Sequence, residues 1–408
     1  MSLWRWPRSL DAVNFRTLDG VPLQGRRALV RIDFNTPMAD GQVADDTRLR
    51  AALPTIERLR DSGAKVILMA HFGRPKGRRE ASMSLRPVVA PLSELLRAPV
   101  AFADDCIGEA AAAAVASLGD GDVLLLENLR FHDGEEVNNP QFAHALAANG
   151  DLYVNDAFSA AHRAHASTEG LAHLLPAYAG QAMRAELAAL DAALGRSRRP
   201  VLGVIGGAKV STKLALLGNL IGKLDQLAIG GGMANTFLAA QGWEVGASFC
   251  EHDLVGTARQ IMGEAGARGC ELLLPIDVVT AERLEAGAPS QVRAPGEVGA
   301  SERILDAGPA TVARLEAAID GAATLVWNGP LGVFETPPFD RATVAAARHA
   351  ARRAREGKLI AVAGGGDTVA ALNHAGATGD FTYVSTAGGA FLEWLEGKTL
   401  PGVAALEA

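Results

Sequence analysis

The sequence predicts an α/β protein built on parallel sheets and divided between two domains of similar size. Three observations carry this. Short apolar runs rich in β-branched residues alternate with longer segments of helical period along the whole chain. About ten such runs are too many for one comfortable sheet. The chain has 408 residues, which is long for a single core.

In order, the first half gives apolar runs at 28–32, 65–70, 122–128 and 151–155. Helical period lies between them, from Arg48 to Arg60 and from Ile107 to Leu118. The alternation resumes after residue 185, with runs at 200–206, 226–230, 271–275, 323–329 and 358–364. Strands that read as continuous apolar runs are covered on both faces, as parallel sheets are. Between the halves, 174–195 reads as a loop marked by Pro and Gly followed by an amphipathic helix, a natural connector. No short-period repeat or low-complexity segment is visible, and the two halves do not align with one another.

Composition narrows the function classes. Hydrophobic residues make up 49% and charged residues 21%, a globular balance. With 39 basic and 46 acidic side chains the net charge is −7, which argues against a nucleic-acid protein held by bulk charge. Cys106, Cys250 and Cys270 are far apart and odd in number, without CxxC or metal spacing, as expected of a reduced cytoplasmic protein with cysteines used in packing. No apolar run is long enough to span a bilayer, and the charged start MSLWRWPRSLDAV makes a poor secretory signal.

Ligands of open α/β sheets sit beyond the carboxyl ends of the strands. In the first half those positions carry Asp33 and Asn35 (RIDFN), His71 and Arg74 (HFGRP), Arg130 (ENLRF), and His162, Arg163 and His165 (HRAH), while Arg48 opens the following helix. Four arginines so placed suit a small anionic substrate, because the guanidinium binds phosphate and carboxylate in a bidentate fashion. Each alone also reads as a solvated loop residue. His162 and His165 have no third ligand at a familiar spacing, so anion binding or structural hydrogen bonding is the expectation rather than a metal.

The second half carries glycines instead. GGAKVSTK (206–213) reads as a strand end, a turn on Gly206 and Gly207, and a helix with Lys209 and Lys213 on one face of its first turns. Cations there oppose the positive helix end, which makes sense if a polyphosphate binds. GGGMANTF (230–237), WNGPLGVFE (327–335), AGGGDTVAA (363–371) and STAGGAFLE (385–393) repeat glycines before a helix or turn, letting backbone N–H groups approach phosphate. Asp367 reads either as a helix cap or as a ligand of nucleotide-bound Mg²⁺. Neither GxxxxGK[ST] nor GxGxxG is present, which excludes a P-loop and weakens a dinucleotide dehydrogenase. A dehydrogenase with an unusual loop and an inactive relative kept for binding are the two other classes these motifs allow.

Taken in order, RIDFNTP, DDTRL, HFGRP, ENLRF, NDAFSAAHRAH, GGAKVSTK, GGGMANTF, WNGPLGVFE, AGGGDTVAA and STAGGAFLE resemble the phosphoglycerate kinase family over nearly the whole chain. The resemblance implies two Rossmann-like domains separated by a deep cleft: 1–182, with 396–408 folding back onto it, and 183–395, opened by an interdomain helix over 183–195. It implies phosphoryl transfer between MgATP and the carboxylate of 3-phosphoglycerate by a cytoplasmic monomer, with the domains hinging shut. By resemblance, the substrate meets Asp33, Phe34, Asn35, Arg48, His71, Phe72, Gly73, Arg74, Arg130 and Arg163. The nucleotide meets Gly206, Lys209, Lys213, Gly231, Asn328, Pro330, Glu335, Gly365, Gly366, Asp367 and Thr368, with Asp367 holding Mg²⁺. Arg48, Lys209, Gly366 and Gly388 would serve the transfer itself. Ala387 stands where the family usually has glycine, and MRAEL (183–187) lacks the family's usual lysine before its glutamate. A carboxylate nucleophile is already ionised at neutral pH, so no general base is required.

Overall fold

The computed structural model describes residues 15–407; the reading of the amino terminus as a poor secretory signal falls on residues outside these. The chain forms two compact units. One runs from the start of the described residues to Ala188 and takes in the chain from Thr399 onward; the other is Ala189–Lys398.

The first unit holds a six-stranded sheet of Arg27–Arg31, Lys65–Met69, Val100–Ala103, Val123–Leu126, Leu152–Asn155 and Ala177–Ala179. Ranked along the chain, the strands lie side by side in the order 3-4-2-1-5-6, with every pair parallel. Two of these strands, Val100–Ala103 and Ala177–Ala179, are edge strands missing from the sequence reading, since so few residues cannot show a period. The central strands carry continuous apolar runs because both faces are covered: Leu29, Val30, Val66, Ile67, Leu68, Leu124 and Val154 are all fully buried. The helix Thr47–Asp61 turns Leu49, Ala52, Ile56 and Leu59 onto one face of the sheet.

The second unit holds Val201–Ile205, Gln226–Ile229, Glu271–Leu273, Thr324–Asn328, Ile360–Gly364 and Tyr383–Ser385 in the order 3-2-1-4-5-6, again all parallel. This is the doubly wound dinucleotide-fold order, with its topological switch between the first and fourth strands. The helix Arg341–Arg355 lays Ala342, Ala346, Ala347, Ala350, Ala351 and Ala354 on this sheet. A small antiparallel sheet, Val278–Ala281 between Gln291–Arg293 and Arg303–Ala307, adds to the unit and was not foreseen.

The helix Gln181–Leu190, continued by a π-helical turn over Asp191–Gly195, carries the chain from one unit to the next. Its start is tied to the first unit: Thr55 Oγ1 accepts from the Gln181 N–H at 2.7 Å and Asp156 Oδ1 from the Met183 N–H at 3.0 Å. Asp156 is buried, and burial pushes its carboxyl up to about 6. The returning segment packs through Gly402, whose N–H donates to Ala161 O at 2.8 Å and whose carbonyl accepts from Asn155 Nδ2 at 3.2 Å.

Candidate active site

In the first unit the loops after four strands knit together. Asp33, two residues past the first strand, accepts from Arg48 Nη1 and from Ser159 Oγ, the latter at 2.5 Å. Burial acts to raise the Asp33 carboxyl, but Arg48, His71 and the hydrogen bonds outweigh it and hold it below the usual range. Asn35 Oδ1 accepts from the Gly73 N–H at 3.0 Å, and Gly73 O accepts from Arg130 Nη1 at 2.9 Å. Gly73 has φ 63°, a conformation that glycine adopts without strain. The Phe72 N–H donates to Asn128 Oδ1 at 3.2 Å, and Asn128 Nδ2 returns a bond to Phe72 O at 2.7 Å. Phe34 is fully buried and serves as packing beneath the loop.

These bonds bring Asp33, Asn35, Arg48, Phe72, Gly73 and Arg130 together. Arg130 is 9% exposed, while Arg74 and Arg163 are exposed. Arg163 Nε lies 3.4 Å from His162 Nε2. His71 is nearly buried, and its Nδ1 lies 3.0 Å from Arg31 Nη2. A guanidinium only donates, so Nδ1 accepts and the proton sits on Nε2. Burial, then Arg31 and Arg130, push the imidazole well below its ordinary value, so His71 stays neutral.

Behind this surface lies a layer absent from the sequence reading. Arg31 is fully buried at the end of the first strand, and its Nε donates to Ser167 Oγ at 2.9 Å. Ser167 in turn donates through its hydroxyl and its N–H to the fully buried Glu135, at 2.5 and 3.0 Å. His165 is buried 3.8 Å from the same carboxylate, and burial lowers it to about 4. Arg31 was legible only as part of a strand, and Glu135 belongs to no motif.

In the second unit the glycine loops converge at the switch point of the sheet. The Gly206 N–H donates to Asn328 O at 2.9 Å, and a Cβ on Gly206 would stand 1.8 Å from Pro330 O. Gly231 has φ 68° and donates its N–H to Leu331 O at 2.8 Å. Asn328 is buried; its Nδ2 donates to Gly364 O at 2.6 Å and its Oδ1 accepts from Lys213 Nζ. Burial lowers the Lys213 ammonium, against the opposing pull of Asp367. Thr368 Oγ1 accepts from the Gly329 N–H at 2.7 Å. A pocket of about 360 Å³ opens here, lined by Gly207, Gly231, Asn235, Pro330, Glu335 and Asp367 among others.

The lysines are not arranged as expected. The helix begins at Leu214 with Lys213 as its cap, and Lys209 lies out in the loop. Gly207 at φ 134° and the Lys213 N–H···O=C Val210 bond at 2.8 Å fold 206–213 into a turn, so Lys209 and Lys213 do not share one face of a helix. Asp367 does not cap its helix either: Gly365, at φ 101°, holds that position, and Asp367 stands exposed in the first turn of Gly366–His374. Gly388, at φ 55°, takes the same place before Gly389–Leu395.

One carboxylate of the pocket wall offers a pH test. Asp306 accepts from the Ala342 and Ala307 N–H groups, both at 2.9 Å, yet burial pushes it up to about 7. Unfolded, it titrates near ~4. The folded state therefore holds the proton more tightly, and this contribution to stability is full below about pH 4 and lost as pH rises through about 7. Urea unfolding of wild type and Asp306→Asn between those limits is expected to show a downward slope with pH that the variant flattens. Parallel slopes would refute it.

A model of the phosphoglycerate kinase family matches residues 18–398. The chain belongs to the phosphoglycerate kinase family. It is thereby a phosphotransferase with a carboxyl group as acceptor. It is 67% identical over 396 residues to a phosphoglycerate kinase of Caulobacter vibrioides, covering 97% of this chain and 100% of that one. It is 63% identical over 393 residues to that of Brucella abortus, covering 96% and 99%. Among solved structures it is similar to the phosphoglycerate kinase of Coxiella burnetii, with TM-score 0.90, 41% identity and coverage of 96% and 98%. The phosphoglycerate kinase of Pyrococcus horikoshii gives TM-score 0.78 at 30% identity, with coverage of 96% and 98%. Both halves of the expected α/β fold agree with these relatives.

The departures from the phosphoglycerate kinase pattern are tolerated locally. Ala387 is buried outside the positive-φ region, with its N–H bonded to Ser385 Oγ at 3.2 Å, so a methyl group fits. In MRAEL, Arg184 pairs with Asp19 at 3.3 Å. Contrary to the cysteine spacing, one metal-type group exists in space among the described residues: Asp105, Cys106 and His132 have donor atoms within 4.8 Å. The Asp105 carboxylate is already bonded to His132 Nε2 and the Cys106 N–H, both at 2.7 Å. No helix among the described residues is long and apolar enough to cross a membrane.

Proposed function

We infer that the arginine-rich loops of the first unit hold 3-phosphoglycerate and that the glycine loops of the second hold ATP with Mg²⁺. The reaction is that of the family, reversible phosphoryl transfer between ATP and the carboxylate of 3-phosphoglycerate in glycolysis. The observation that carries this reading is the pairing of a convergent Arg48–Asp33, Asn35–Gly73–Arg130 lattice with a switch-point pocket lined by Gly207, Gly231 and Gly232 together with Glu335 and Asp367.

On this reading Arg130, Arg74 and Arg163 bind the substrate's phosphate, and Asp33 and Asn35 orient it. Neutral His71 donates through Nε2 without adding a charge that would have to be desolvated. Lys213 and the helix-start amides at Gly366 and Thr368 meet the phosphates of ATP, Gly206, Gly231, Asn328 and Pro330 line the rest of the site, and Glu335 meets the ribose. Asp367 is exposed at the pocket without a cap bond, which suits a hard cation that takes one or two carboxylates plus phosphate oxygens. Bound Mg²⁺ would neutralise charge on those oxygens. Arg48, Lys209 and the amides at Gly366 and Gly388 stabilise the transferring phosphoryl group, where catalysis is chiefly positioning and charge neutralisation. Because reacting atoms must come within about 3–3.5 Å, the two units close on binding both ligands, hinging near Tyr178 to Leu194. The working protein is a cytoplasmic monomer.

The test is turnover of ATP and 3-phosphoglycerate by the purified protein, with 1,3-bisphosphoglycerate trapped by a coupled dehydrogenase and scattering recorded with both ligands bound. Product formation with a smaller radius of gyration is expected. Binding of both ligands without product would sink the catalytic reading.

A further inference from the structure

We propose that Glu251 is a positioning residue for Lys209, a role that rests on the function assigned to Lys209 above. Lys209 sits exposed in the loop between the strand Val201–Ile205 and the helix Leu214–Leu220. Such a loop would leave its ammonium poorly placed unless something outside fixed the backbone. Glu251 supplies that fixture. Its Oε2 accepts from the Ser211 N–H at 3.0 Å and its Oε1 from the Ser211 hydroxyl at 2.5 Å, so both carboxylate oxygens close on a residue two positions past the lysine. Bonds to an ionised acceptor are the stronger kind. Thr212 Oγ1 then donates to the Lys209 carbonyl at 2.9 Å, carrying the restraint back along the turn.

Glu251 is itself anchored to rigid structure. Its N–H donates to Thr236 Oγ1 at 3.1 Å, and Asn235 Nδ2 donates to Phe249 O at 3.0 Å. Thr236 and Asn235 are both buried in the helix Gly232–Ala240, beside the glycines of the nucleotide pocket. The same short segment also receives the lysine head: Lys209 Nζ lies 5.9 Å from the centroid of the Phe249 ring. Phe249 lines the pocket and is 50% exposed. Residues 249–251 therefore clamp the loop backbone and rest its ammonium at the pocket wall. The flexible side chain of Lys209 can move from ring to phosphate while its Cα stays fixed.

Glu251→Gln tests this, since the amide loses the charge that strengthens both bonds and can accept from only one of the two Ser211 donors. Turnover is expected to fall about tenfold, because displacements of about 1 Å at such a group are costly. KM for ATP and for 3-phosphoglycerate should stay within about twofold, the pattern of an interaction felt in the transition state. Glu251→Asp should recover part of the loss. In a Lys209→Ala background, Glu251→Gln should have no further effect, whereas a general structural defect would lower turnover equally in both backgrounds. Unchanged turnover in Glu251→Gln, or an equal loss in both backgrounds, would overturn the proposal. Full turnover in Lys209→Ala alone would instead overturn the lysine's catalytic role, and it is read separately.

Discussion

Replacing Arg48 with alanine is expected to cut kcat by roughly a hundred- to a thousandfold, the usual consequence of deleting one preorganised group that meets developing charge. The geometry explains why the loss should fall on turnover. Arg48 is the second residue of its helix, so its Cα is set by a rigid element, and its guanidinium is aimed by Asp33, which Ser159 holds from the other side. Part of the side chain, 30%, remains exposed and able to meet a ligand. Arg48→Lys should recover little, since an ammonium cannot reach Asp33 and a phosphoryl oxygen in the same planar fork. The coupled assay, with circular dichroism as a check on folding, measures this. A loss smaller than about tenfold in a folded variant would remove Arg48 from the transfer step.

The largest stability effect is expected from Glu135→Ala. Glu135 is fully buried, and burial raises its carboxyl against the pull of Arg31 and the Ser167 bonds. Arg31, also fully buried, depends on that carboxylate through Ser167. Deleting one member of a buried charge network strands the other, at a cost of about 3–5 kcal/mol. The first unit should melt earlier by on the order of 10 °C, with the second unit's transition unmoved. Calorimetry resolves the two. A shift of less than about 2 °C would mean that water or rearrangement replaces Glu135. The variant also probes His71, because Arg31 is the partner that fixes its tautomer.

The parts of this molecule legible in the sequence were those that physics writes as long patterns. Central strands such as 28–32 and 323–329 read as apolar runs because both faces are covered, and glycines such as Gly231 and Gly365 stand where positive φ and close neighbours require them. Arginines at strand ends stood out because charge there has no place in a core. What stayed hidden depended on three-dimensional neighbours. Arg31 looks like any residue ending a strand until Ser167 and Glu135, more than a hundred positions away, make its burial possible. Ala177–Ala179 and Tyr383–Ser385 are strands because a neighbour offers them a ladder, and their few residues carry no period. The turn that frees Lys209 from its helix is hidden because GGAKVSTK gives equal licence to a helix start and a loop, and Glu251, which bonds to Ser211, lies 40 residues from it.

The return of the chain to the first unit at Thr399 has a consequence for biosynthesis. Asn155 and Ala161 find their partner in Gly402, which leaves the ribosome only after all of Ala189–Lys398 has been made. Domains fold vectorially, the earlier ones first. Here the unit begun first is completed last, and until then it presents an open seat at Asn155 and Ala161. Nascent chains arrested before residue 399 should therefore be more readily cleaved in the first unit than released ones, although every residue of its sheet is already present.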